Sequence, residues 1–122
     1  MRLRGHRCFN RLHRSGCRHH APLLVLRVVQ AERRLLRPEL RLHPDVSCRC
    51  ALVISSKVSK RAVKRNRLRR RLHEHLRLRL ECRRDLAGLW LLFSLRPAAG
   101  EGDPSQLLKE CDSLLRDAGL EG

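Results

Sequence analysis

Nine of the fifteen residues from Lys57 to Arg71 are lysine or arginine, and no acid occurs between Asp45 and Glu74. Lys57, Lys60, Arg61, Lys64, Arg65, Arg67, Arg69 and Arg70 therefore share one chemistry, the holding of phosphate, and Asn66 stands among them as a further candidate RNA contact. A guanidinium offers a planar fork of donors that matches two phosphate oxygens and also stacks on a base. Arg65 and Arg69 are four apart, so a helix would let one face track successive phosphates. Asn66 is short and amide-bearing, equally suited to bonding a base edge or to locking a neighbouring loop.

Bond-breaking chemistry is harder to find. Phosphodiester hydrolysis with protein-held Mg²⁺ needs clustered carboxylates. Glu74, Glu81 and Asp85 are spaced seven and then four apart, which aligns them as ion-pair partners for nearby arginines. No histidine pair resembles an acid–base nuclease, so no catalytic residue is assigned to the protein. The six cysteines stand at 8, 17, 48, 50, 82 and 111 without a CxxC pair. Cys48-Arg49-Cys50 is not a zinc-knuckle spacing, and reduced thiols in a cytoplasmic protein are the expectation. His19-His20 leaves an adventitious metal site open, and the identity of any metal unknown.

The whole chain carries the same sign. Twenty-eight basic residues against twelve acidic leave a formal charge of +16 over 122 residues, with a pI near 11.4. Such an excess repels itself in a compact chain, and a polyanionic partner is its economical explanation. Phe9, Trp90 and Phe93 are the only aromatics. That counts against a sheet that stacks several bases on aromatic rings. The apolar runs Leu23–Leu26 and Leu89–Phe93 are too short for a membrane span. The arginine-rich start resembles a transit peptide in composition, but Leu23–Val29 reads as a core strand, so the N-terminus is taken as mature protein.

The elements that would position the basic run follow from periodicity. Arg7–Arg14 reads as a short helix ended by Ser15-Gly16, and Leu23–Val29 as a strand opened by Pro22. Residues 30–45 are ambiguous: Pro38 and Pro44 break them, and Glu39–His43 suits a hairpin arm. Cys48–Ile54 reads as a central strand. Ser59 is the expected cap of a basic helix from Lys60 to about Glu81, roughly 33 Å long. On it Ala62, Leu68, Leu72, Leu76 and Leu80 recur on one face. Cations in its first turns oppose the helix dipole, a conflict that bound phosphate would resolve. Gly88 precedes a strand Leu89–Leu95, and Ala98–Gly102 is a loop. Asp103-Pro104 then opens a closing helix with the stripe Leu107, Leu108, Cys111, Leu114 and Leu115, and Gly119 suits its end. The order predicts one domain over 1–122, an α/β (α+β) two-layer sandwich of a small sheet with helices.

The run Ile54-Ser55-Ser56-Lys57-Val58-Ser59-Lys60-Arg61-Ala62-Val63-Lys64-Arg65-Asn66-Arg67-Leu68-Arg69-Arg70 resembles the signature of the bacterial ribonuclease P protein family. Arg65-Asn66-Arg67 is intact, with Ala62 and Leu68 correctly spaced. Phe9-Asn10-Arg11-Leu12-His13-Arg14-Ser15-Gly16 is similar to the family's first helix, and the likeness covers nearly the whole chain.

The resemblance implies a sandwich in which the basic helix joins two parallel strands by a left-handed crossover, against the right-handed rule. It implies that the nine basic-run residues named above meet the catalytic RNA. It further implies that a cleft lined by Phe9, His13 and Arg27 receives the single-stranded 5′ leader of precursor tRNA. The RNA subunit would hold Mg²⁺ with the substrate and cut the leader, with the protein as accessory subunit of an endoribonuclease. The partners expected are that RNA and precursor tRNA, with no membrane and no obligate protein partner. Ser56, His13, Arg27 and His73 depart from the family pattern, which puts leader stacking by aromatics in question. The competing reading is a basic ribosomal or ribosome-assembly protein, and an isolated amphipathic membrane helix or a duplex-DNA binder fits less well.

Overall fold

The computed structural model describes residues 17–30, 48–81 and 83–120. The N-terminal helix, Phe9, His13 and the ambiguous segment 30–45 beyond Gln30 lie outside the described residues. Within them the order is β1 (Cys17–His20), β2 (Leu24–Gln30), β3 (Arg49–Val53), α1 (Ala62–Leu80), β4 (Leu89–Leu95) and α2 (Pro104–Asp117). Short 3₁₀ turns occupy Arg84–Leu86 and Pro97–Gly100, the second in place of a plain loop.

The four strands form one sheet in the order β1-β2-β4-β3. β1 and β2 are antiparallel, as are β2 and β4, whereas β3 runs parallel to β4. Parallel neighbours cannot be joined by a tight turn, so the chain needs a crossover, and α1 supplies it. The expectation for Cys48–Ile54 is a central strand; among the described strands β3 stands at the end of the order, and the continuous apolar strand with a described neighbour on each side is β4. Cys50, Ala51 and Leu52 of β3 are nonetheless buried. β1 has no sequence signature, since Cys17-Arg18-His19-His20 lacks apolar alternation.

One sheet face carries Leu24, Leu26, Cys50, Leu52, Leu91, Phe93 and Leu95 into a core shared with both helices. α1 contributes Leu68, Leu72, Leu76 and Leu80, one leucine per turn. Each fully buried leucine contributes about 2 kcal/mol. So narrow a stripe holds the helix down and leaves most of its circumference to charge. Ala62, expected on that stripe, is exposed, because the first turn of α1 stands clear of the sheet. α2 answers with Leu107, Cys111, Leu114 and Leu115. Its ends are as the residue types foretell. Asp103 Oδ1 accepts from the Ser105 N–H at 3.0 Å, and Pro104 takes the first helical position. Gly119 adopts φ 74°, so the Leu120 N–H reaches the Leu115 carbonyl at 2.8 Å in a Schellman closure.

α1 begins two residues later than expected, and Ser59 is not its cap. Arg61 holds the N-cap position without a side-chain hydrogen bond, and no acid lies in the first turn. Ser59 Oγ instead accepts from the Arg61 N–H at 3.3 Å, closing a turn that delays the helix. The two helices are clasped at their far ends, where Asp112 of α2 accepts from Arg79 Nε at 2.6 Å and lies 2.8 Å from His75 Nε2.

The described cysteines are thiols. Cys48, Cys50 and Cys111 are buried and Cys17 is exposed. Cys48 and Cys50 lie 4.0 Å apart, sulfur to sulfur. Burial pushes the Cys111 thiol up to about 12. The Cys50 thiol is raised by its hydrogen bond with Cys48 and then by burial. Thiolate is the nucleophile, so alkylation of the folded protein at pH 8 is expected to modify Cys17 and to spare Cys48, Cys50 and Cys111 until denaturant is added. Peptide mapping of the alkylated sites checks this; rapid native labelling of Cys111 would contradict its burial between α2 and the sheet.

Candidate nucleic-acid interface

Along α1 the charges are segregated. In its second half, acids neutralise arginines: Arg77 donates to Glu74 at 2.6 Å and to Glu81 at 2.9 Å. Just beyond the helix, Arg83 pairs with Asp85 at 2.8 Å. The guanidinium of Arg77 holds the Glu74 carboxyl below its ordinary range, and that of Arg83 does the same for Asp85. These carboxylates are thus committed to arginines, and their donor set does not suit a protein-held magnesium ion. Among the described residues no group of three or more His, Cys, Asp or Glu side chains is placed to hold a metal.

The first half of α1 has no acid within it, and its cations fall on two flanks. Successive residues turn about 100°, so Arg65 and Arg67 point about 200° apart rather than together. One flank holds Arg65, Asn66 and Arg69. Arg65 Nη1 donates to the Ser59 carbonyl at 2.7 Å, which ties the helix to the turn before it. Arg69 Nη1 donates to Asn66 Oδ1 at 3.3 Å, which leaves the exposed Asn66 amide N–H₂ for another acceptor. The other flank holds Lys64, Arg67 and Arg71, facing the start of α2. Lys64 Nζ donates to the Gly100 carbonyl at 2.5 Å, so part of its capacity is structural. Lys57, Lys60, Arg61, Arg67 and Arg70 are exposed. Arg71 joins these cations, one residue beyond the set expected from the sequence.

Further arginines lie on the sheet face turned away from α1 and α2. The register places Arg18 opposite Arg27, Arg27 opposite Leu92, and Arg49 beside Trp90. Arg18, Arg27, Arg49, Trp90 and Leu92 therefore share that face. Two guanidinium groups set directly opposite on neighbouring strands repel each other. Partial burial, and then Arg18, lower the Arg27 pKa below its usual value. Arg27 is half-buried with Nε unbonded among the described residues, while Trp90 is fully buried and so presents no ring for stacking. Arg18 and Arg49 carry no sequence signal of their own, because an arginine within a strand shows its face only once register is known. Of the three residues expected in the leader cleft, only Arg27 is among the described residues.

Comparison with known proteins agrees with this arrangement. Residues 1–119 match the family model described as Ribonuclease P. The ribonuclease P protein component of Parasynechococcus marenigrum is 74% identical over 120 residues, covering 98% of this chain and 94% of that protein. That of Prochlorococcus marinus strain MIT 9303 is 57% identical over 120 residues, with coverage of 98% and 94%. Among solved structures, the ribonuclease P protein of Staphylococcus aureus superposes with a TM-score of 0.77 at 16% identity, covering 99% of this chain and 97% of that one. The Thermotoga maritima protein gives 0.68 at 19% identity, covering 95% and 96%. A crossover of opposite hand would not superpose at this level, so β3–α1–β4 has the hand of those structures. With a basic helix crossing over between parallel strands, and agreement with its relatives along nearly its whole length, this chain belongs to the bacterial ribonuclease P protein family.

Proposed function

We propose that the chain works as the protein subunit of ribonuclease P, with the unpaired cations of α1 against the catalytic RNA and the arginine-bearing sheet face toward the 5′ leader of precursor tRNA. The observation that carries the division of labour is the charge segregation along α1. Acid-neutralised arginines at Arg77 and Arg83 have no need of a phosphate partner, whereas Lys60, Arg61, Arg65, Asn66, Arg67, Arg69 and Arg70, with Lys57 and Lys64, do. The uncapped first turn of α1 adds amide N–H groups to the same end. On the sheet face, Arg18 and Arg27 reduce their mutual repulsion by sharing a leader phosphate; Phe9 and His13 are the other leader contacts of this reading.

The protein's contribution is screening, substrate affinity and leader recognition. Magnesium, held by the RNA and the substrate phosphates, supplies the chemistry of hydrolysis when the holoenzyme is assembled. The cytoplasm is the proposed site of action, since precursor tRNA is its substrate.

The test is cleavage of precursor tRNA by bacterial ribonuclease P RNA at low Mg²⁺ and moderate salt, with and without this protein. Cleavage at the mature 5′ end only when both are present is the expected result. Cleavage by the protein alone would place a catalytic site on the chain. RNA binding without stimulation would favour a ribosomal type of role.

A further inference from the structure

The Lys64–Arg67–Arg71 flank of α1 is not flat. Where it diverges from the first residues of α2, a groove of about 790 Å³ opens, walled by Arg61, Lys64, Arg67 and Arg71. Its apolar lining is Val63, Leu68 and Pro104. Val63 is 67% exposed, one of two large hydrophobic side chains left in the open among the described residues. A single exposed valine is ordinary on a protein surface. Apolar side chains lining a groove together with arginines and a lysine, with no acid in the lining, are a different matter, because they suit a ligand with a planar apolar face and a negative edge.

We propose that this groove takes one unpaired nucleotide of the catalytic RNA, its base lying on Val63 and Pro104 and its flanking phosphates on Arg61, Arg67 and Arg71. The inference rests on the reading that α1 meets that RNA, and it sharpens the contact from phosphate tracking to base capture. A duplex keeps its bases stacked inside and presents phosphate and ribose outward, so it can meet the cations but has nothing to place on the apolar lining. An unstacked nucleotide offers a π-face that packs on apolar side chains and guanidinium planes alike. The groove is within the size range of pockets that bury small planar ligands. It is also rigidly framed. Lys64 is bonded to the Gly100 carbonyl, and the Asp103 cap fixes Pro104 at the start of α2. A pre-shaped site of this kind loses little conformational entropy on filling.

The test uses the full chain assembled with bacterial ribonuclease P RNA. A photoreactive p-benzoylphenylalanine is placed at Val63 in one preparation and at Ala62, exposed on the opposite flank, in another. Crosslinks from position 63 are expected to concentrate on one or two nucleotides that chemical probing of the RNA finds unpaired. Crosslinks from position 62 without any from 63, or crosslinks from 63 spread over paired strands, would overturn base capture while leaving the helix contact standing. Silence from both positions would remove the helix contact as well. Crosslinking from 63 to a protein, when assembly is carried out in bacterial extract, would instead make the groove a site for an acidic partner. As an independent measure, Val63→Asp is expected to weaken RNA affinity about tenfold with unchanged thermal stability, and Val63→Leu to leave affinity within about twofold. Equal affinity for Val63→Asp and the unsubstituted protein would refute the role of the apolar lining.

Discussion

Arg65→Ala combined with Arg67→Ala is expected to weaken binding to ribonuclease P RNA by about a hundredfold at moderate salt. It is also expected to lower the slope of log K against log salt by about 2. Each guanidinium that meets a phosphate displaces roughly one counterion from the nucleic acid, so without these two side chains about two counterions stay in place on binding. The structure adds an asymmetry between the two residues. Arg67 is exposed at the groove wall, so its loss acts on binding alone. Arg65 also bonds the Ser59 carbonyl, so its loss slackens the turn that leads into α1. Filter binding over a range of salt, with thermal melts of each single variant, separates the two. A double variant that binds more weakly at every salt concentration but keeps the original slope would show that these arginines act through the fold, and the assignment to phosphate would fall.

Gly100→Ala is expected to destabilise the protein by about 3 kcal/mol, more than most surface substitutions, and to weaken RNA binding with it. A β-carbon at this buried position would fall on the carbonyl oxygen of Val58, far inside van der Waals contact. Both partners are backbone, so no rotamer change relieves the clash and one of the two segments must move. The Ser55–Val58 turn, closed by the Val58 N–H to Ser55 carbonyl bond at 3.0 Å, carries Lys57 and feeds α1. The Gly100 carbonyl anchors Lys64. Displacing either therefore disturbs the cationic face as well as the core. Gly102→Ala provides the contrast. There the new methyl would press mainly on Leu23 Cδ1, at 3.2 Å, the end of a flexible side chain, and a loss of less than about 1 kcal/mol is expected. Urea denaturation of both variants checks the pair, and equal midpoints for the two would mean that the Val58–Gly100 approach is looser than described.

These two expectations differ in how far the sequence alone supports them. The chemistry of the interface is legible from residue types, because charge does not depend on partners distant in sequence. Nine cations in fifteen residues, free of acid, keep their positive charge in any fold. The leucine repeat of α1 and the Asp103-Pro104 and Gly119 ends of α2 are legible for the same reason, being set by contacts within a turn or two. The direction each cation points is another matter. Helical spacing alone separates Arg65 from Arg67, yet it takes the position of α2 to make the Arg67 flank a groove and Arg71 one of its walls. Arg18 and Arg49 join Arg27 only through the register of strands far apart in the chain. The place of β3 at the end of the described strand order depends on which strand pairs with β4, which its apolar residues do not reveal. Gly100, in what reads as a plain loop, owes its importance to a backbone forty-two residues earlier. Local interactions are written in neighbouring residues, and so the helices, the apolar strands and their charge were determined by the sequence as read. Which side chains face one another across the fold is decided by long-range packing, and only the tertiary structure displays it.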